Sequence, residues 1–135
     1  MGRTIEQERD REILKNKVLV KLAHHVGLLN AIGMAELYED VFGKPWNDRI
    51  NDTRDLRVII TELRNEGTPI CSTAIQNGSG YYLAAAGSEL KDYIRRDTMR
   101  ALRILTRAAR IQKVTLPEYL GQLKLRMEAP NEKEI

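Results

Sequence analysis

Residues Arg54–Leu83 read RDLRVIITELRNEGTPICSTAIQNGSGYYL, and this stretch decides the fold. Leu56, Ile59, Ile60 and Leu63 recur at helical spacing and form one apolar stripe. Asp52 and Thr53 before them are good N-caps, and Gly67 is a natural stop. The spacing therefore predicts a helix over 53–66. Pro69 to Ala74 then reads as a strand. Gln76-Asn77-Gly78-Ser79-Gly80 holds the hairpin dipeptide Asn-Gly, and Tyr81-Tyr82-Leu83-Ala84 is the return strand. A hairpin is thus expected near 69–85, with Tyr81 and Leu83 on its core face and Tyr82 on the other.

Upstream, Met34, Leu37, Tyr38, Val41 and Phe42 fall on one helical face, and Gly43 and Pro45 end it. This predicts a short helix over 34–42. A first helix is expected from Thr4, as cap, to Val26, with Leu14, Val18, Leu22 and Val26 as its apolar stripe. Leu28 to Ile32 between them is a short apolar connector with the character of a single edge strand. Downstream, Ser88 opens a long helix to about Val114. Thr115-Leu116-Pro117-Glu118 has capping-box spacing and opens a last helix to about Met127. The expected fold is mainly α with a small β-hairpin. Its domains are 1–86, a helical extension over 87–128 and a frayed tail over 129–135.

At Leu63-Arg64, Gly67, Pro69-Ile70, Gly78, Gly80-Tyr81 and Leu83 the chain resembles the winged helix-turn-helix of the biotin-operon-repressor type. The resemblance covers about thirty residues, or about fifty with the second helix. It implies a winged helix-turn-helix with two additional C-terminal helices. It also implies a DNA-binding protein such as a transcriptional regulator or a phage or mobile-element control protein. One departure is that Gly43 to Asp52 exceeds the compact turn of about three or four residues.

Burying the stripe of the third helix turns Arg54, Val58, Thr61 and Asn65 outward, with Arg57 and Arg64 on one flank and Thr53 at its head. A helix of this diameter fits the major groove. Arg suits guanine edges or phosphate, Asn suits adenine, and Val and Thr suit a thymine methyl. In the wing, Gln76, Asn77 and Ser79 are polar and uncharged, able to meet phosphate or a minor-groove edge. A plain tight hairpin explains them equally well.

The long fourth helix carries Arg96, Arg100, Arg103, Arg107 and Arg110 at spacings of 4, 3, 4 and 3. These fall within an arc of about 80°. Leu90, Ile94, Ala101, Leu105 and Ala108 lie opposite. From Arg95 to Lys113 there are seven basic residues and one acid, Asp97. Such a line is an electrostatic track for a phosphate backbone or an acidic partner. The bland reading is a solvated face paired with the acidic first helix. Tyr119, Leu120, Leu123 and Met127 on the last helix need a cover. A homodimer is the expected cover, with a fold-back onto the first helix as the alternative.

The chain has 135 residues, a net charge of +3 and one cysteine, so neither a disulfide framework nor a Cys-rich zinc site is expected. Aromatics at 5% argue against stacking platforms for single strands. His24 and His25 are adjacent and lack a third ligand at helical spacing, so no metal is expected. Trp46 is either a clamp over the core or an interface residue. No nucleophile elbow, phosphate-binding lysine loop or paired-carboxylate motif occurs, so neither an enzyme nor a cofactor is expected. No apolar signal core or membrane span is apparent, which fits a cytoplasmic setting without a membrane or small-molecule partner. The expected partner is double-stranded DNA. The rival is a protein–protein winged-helix module or a replication-organising factor within a larger assembly.

Overall fold

The computed structural model describes residues 4–47, 49–75 and 78–128. The protein is mainly helical, with a small three-stranded antiparallel sheet. Along the chain it divides into two compact units, with the boundary between Lys91 and Asp92.

Helix α1, Ile5–Leu22, opens with the capping chemistry its sequence promises. The Gln7 N–H donates to Thr4 Oγ1 at 3.1 Å and the Thr4 N–H donates to Gln7 Oε1 at 2.9 Å. It stops at Leu22 and does not reach Val26. The backbone beyond is claimed by the sheet. The Leu83 N–H donates to the His25 carbonyl at 3.0 Å and the Gly27 N–H to the Leu83 carbonyl at 2.8 Å. Gly27, at φ +94°, then turns the chain into a 3₁₀ turn at Leu28–Asn30. Strand β1 follows at Ile32–Gly33.

Helix α2, Met34–Phe42, buries Met34, Leu37, Tyr38 and Val41, and Phe42 stacks on Tyr38 with ring centres 4.4 Å apart. Helix α3, Arg49–Asn65, starts earlier than Asp52 or Thr53. Asp52 lies in its first turn, where an acid suits the helix dipole. Its carboxylate accepts from the Tyr38 hydroxyl at 2.9 Å and from the Asn47 N–H at 3.1 Å. The connection between α2 and α3 is therefore 43–48, shorter than the sequence suggests. Gly67, at φ +100°, closes α3: the Thr68 N–H reaches the Leu63 carbonyl at 2.9 Å.

Strand β2, Ile70–Ile75, and strand β3, Gly78–Leu83, pair from Ile70↔Leu83 to Ile75↔Gly78. β1 joins the other edge of β3, giving the order β1-β3-β2. The expected hairpin is present, as two strands of the sheet. Gln76 and Asn77, the expected turn, lie outside the described residues. The sheet is buried on both faces where Cys71 pairs with Tyr82 beside Tyr81, and is exposed toward Ala74, Ile75 and Ser79. In the core, Leu56, Ile59, Ile60 and Leu63 of α3 meet Val18 and Leu22 of α1. Leu37, Tyr38 and Val41 of α2 and Ile32, Ile70 and Tyr81 of the sheet complete it.

Ion pairs ride over this core. Arg11 binds Glu62 through Nε and Nη2. The buried Lys15 places Nζ 2.5 Å from Glu66, 3.1 Å from Glu12 and 3.8 Å from Glu62. Hydrogen bonds donated to Glu66 and then to Glu12 hold the Lys15 ammonium above the ordinary lysine range.

Helix α4, Gly87–Gln112, ends before Val114. Lys113 turns left-handed at φ +63°, and the Val114 N–H returns to the Ala109 carbonyl at 3.0 Å. Helix α5, Leu116–Glu128, opens with the expected capping box. Thr115 Oγ1 accepts the Glu118 N–H at 3.2 Å, and Glu118 accepts the Thr115 N–H at 2.9 Å. That N–H, then the Thr115 hydroxyl, holds the Glu118 carboxyl below the usual range. The expected frayed tail, 129–135, lies outside the described residues. Among the described residues no helix is long and apolar enough to cross a membrane.

A side chain at Gly80 has no room: its Cβ would lie 2.9 Å from Ile75 Cγ2 and 3.1 Å from the Ile32 carbonyl oxygen. Gly80→Ala is therefore expected to cost about 1–3 kcal/mol in urea unfolding, while Gly87→Ala, which meets nothing within 4 Å, costs far less. Lys15 supplies a pH test. Its folded pKa is raised, so its contribution is complete below the unfolded lysine value of roughly 10.4 and fades as pH climbs through the folded value. The gap in unfolding midpoint between the wild type and Lys15→Met should be constant near neutrality and close as pH climbs through that alkaline window.

Candidate nucleic-acid interface

α3 has two opposite faces. Leu56, Ile59, Ile60 and Leu63 are buried, and this fixes the rotation of the helix. Arg54, Arg57, Val58, Thr61 and Asn65 are consequently exposed, as their spacing predicts, while Thr53 is half-buried. Arg54 and Arg57 have no ion-pair partner among the described residues. At 17 residues the helix is about 25 Å long, enough to follow several base pairs.

Arg64 is placed differently from expectation. It is half-buried, its Nε donates to the Ile70 carbonyl at 2.8 Å, and its guanidinium carbon lies 5.9 Å from the centre of the Tyr81 ring. The helix turns it toward the sheet, where it joins α3 to β2 and β3. Ser79 is exposed on β3 opposite Ala74. Gln76 and Asn77 lie outside the described residues.

One residue of this face was not anticipated. Ile50 is 71% exposed and lines a shallow groove with Thr53, Arg54, Arg57, Val58, Thr61 and Glu62. Starting α3 at Asp52 hid it. Its place one turn before Arg54 was the available signal.

On α4, Arg96, Arg100, Arg103, Arg107 and Arg110 are all exposed. Arg96 lies 6.0 Å from the Tyr93 ring centre, and Arg100 reaches Asp97 at 3.3 Å. Arg103, Arg107 and Arg110 have no partner among the described residues. The apolar side of α4 is weakly covered. Leu105 and Ala108 are half-buried, Ile94 and Ala101 are exposed, and Ala109 is the one buried residue of the second unit among those described. No side chain of α5 is buried.

The remaining candidates resolve simply. His24 and His25 lie beyond the end of α1, with Nδ1 atoms 3.1 Å from the Val20 carbonyl and 2.9 Å from the Asn30 carbonyl. Among the described residues no group of His, Cys, Asp and Glu is placed to hold a metal. Trp46 packs half-buried on the core, and its buried Nε1 has no hydrogen-bond partner among the described residues.

No protein-family model, no curated protein and no solved structure matches this chain.

The two classes of arginine on α3 are separable by stability. Arg64→Ala removes a charged hydrogen bond to the sheet and is expected to cost about 1–3 kcal/mol in chemical denaturation. Arg54→Ala and Arg57→Ala should stay within about 0.5 kcal/mol of the parent.

Proposed function

We propose that the chain is a winged-helix protein that binds double-stranded DNA and acts as a DNA-binding control protein. The succession α1, β1, α2, α3, β2, β3 with sheet order β1-β3-β2 supports this reading, because three helices are followed by an antiparallel strand pair. The observation that carries it is the outward face of α3, where Arg54, Arg57, Val58, Thr61 and Asn65 stand free of the core on one rigid helix. In a major groove such a face offers cations for guanine or phosphate, an amide for adenine and methyl groups for thymine. Ser79 and its neighbours in the wing would add contacts to the backbone or the minor groove.

The arginine line of α4 supplies the attraction. Each arginine that meets a phosphate releases condensed counterions, so binding weakens with salt. An uncompensated row of like charges is unfavourable in isolation, and a polyanion relieves it.

A second copy of the chain fits the second unit. Ile111, Leu125 and Met127 are 75%, 71% and 82% exposed, and among the described residues one alanine is all that the unit buries. Two helices without a core of their own gain most by packing against the same pair from a partner. The same apolar exposure favours the rival reading, a protein–protein module that touches no nucleic acid.

Changing Arg103 and Arg107 to Gln is expected to flatten the slope of log affinity against log salt by about two units and to weaken all duplexes alike. Arg54→Ala should instead shift preference among sequences, losing about 1–3 kcal/mol at one base position. A parent slope in the double Gln variant would favour the protein-module reading. In sedimentation at micromolar concentration the expected species is a dimer, and Leu123→Glu should make it a monomer.

A further inference from the structure

We infer that α3 recognises A·T-containing steps, with Val58 and Thr61 packed against thymine C5-methyl groups. This rests on the DNA-binding reading above and specifies what the same face selects.

The first argument is the apolar character of an exposed surface. α3 hides its four large core aliphatics completely, yet leaves Val58 38% and Ile50 71% exposed on the opposite side. With Thr61 these line the groove along the helix together with Arg54 and Arg57, and all three are β-branched. The thymine methyl is the one apolar group that the edges of the bases present in the major groove. A floor of side-chain methyl groups is complementary to it and to nothing else there.

The second argument is charge. Arg64 is engaged with the sheet and Glu62 with Arg11, so the described groups left to this face are Arg54, Arg57 and the exposed acid Asp55. Helix α3 is too nearly neutral to hold a duplex by attraction alone. Its contribution must come from fit to base edges, and the phosphates are left to other residues.

The third argument is spacing. Val58 and Thr61 are three positions apart, a rise of about 4.5 Å, close to the step of about 3.4 Å between bases along one strand. They can therefore meet the methyl groups of neighbouring pairs. Asn65 is one turn beyond Thr61 on the same face and exposed, where its amide suits the N6 and N7 of adenine.

The test uses the full chain and two labelled duplexes, one of alternating dA and dT and one in which dU replaces every dT. The two carry equal charge and the same hydrogen-bonding edges and differ only in the methyl groups. Binding is read by fluorescence anisotropy at one fixed salt concentration. The expected result is tighter binding to the dT duplex, by about fourfold for each methyl buried. Val58→Ala should bring the dT duplex down toward the dU level, so that the ratio between the two duplexes narrows. Val58→Thr, which keeps the branched shape and one methyl, should retain part of the preference. Equal affinity of the wild type for both duplexes overturns the inference while leaving DNA binding intact, and so does an equal loss on both duplexes in Val58→Ala. Failure to bind either duplex, which is the outcome if this face docks a protein, overturns the DNA-binding reading and this inference together.

Discussion

The packing of one apolar stripe on α3 sets the rest of the first unit. Leu56, Ile59, Ile60 and Leu63 touch a core to which α1, α2 and the sheet all contribute. Buried aliphatics of this size each stabilise by roughly 1.5–3 kcal/mol relative to exposure, so the four outweigh any surface ion pair by a wide margin. The stripe fixes not only the position of the helix but its rotation. Once that is fixed, the outward direction of Arg54, Val58, Thr61 and Asn65 is no longer free. A candidate recognition face is thus a by-product of core packing.

The ionic contacts refine this arrangement. Arg11 and Lys15 of α1 both reach acids on or just beyond the C-terminal half of α3, and Lys21 reaches Asp40 on α2 at 2.8 Å. These pairs favour one register of α1 against its neighbours. They also occupy Glu62, which otherwise stands beside the exposed arginines of α3 as a competing anion. Asp52 plays a comparable part at the other end, binding the Tyr38 hydroxyl and the N–H of Asn47, so that the turn before α3 is held to α2.

What was legible in the sequence is what period and caps can express. The stripes of α2 and α3, the Thr4 and Thr115 caps and the exposed residues of α3 all follow from spacing and local chemistry. What was not legible depends on partners distant in sequence. Val26 continues the helical pattern of α1, but Leu83, far along the chain, takes its neighbours into the sheet. Arg64 lies on the exposed flank by its helical angle, but the chain after Gly67 brings the Ile70 carbonyl and Tyr81 beneath it. Asp52 has the residue type of a cap, and only the position of Tyr38 explains why it serves one turn further in. The same limit hid Ile50, since the start of a helix is its least periodic part. The burial of Tyr82 beside Tyr81 likewise contradicts simple alternation, because both faces of this sheet are covered there.

On the proposed reading, the distribution of charge would separate two tasks, attraction to a duplex and discrimination among sequences. From Arg95 to Gln112, α4 carries six basic residues against one acid, whereas α3 carries Arg49, Arg54, Arg57 and Arg64 against Asp52, Asp55 and Glu62. Contacts to phosphate are indifferent to sequence and strongly sensitive to salt, and contacts to base edges are the reverse. A helix crowded with arginine holds any duplex, and its affinity for the wrong site rises with that for the right one. A nearly neutral helix with methyl groups and one amide gains little from an incorrect site. Specificity is a difference of affinities, so balancing the arginines of a reading helix with acids raises discrimination even as it lowers affinity. The left-handed turn at Lys113, where α4 ends, adds one further cation beside Arg110 without lengthening the helix.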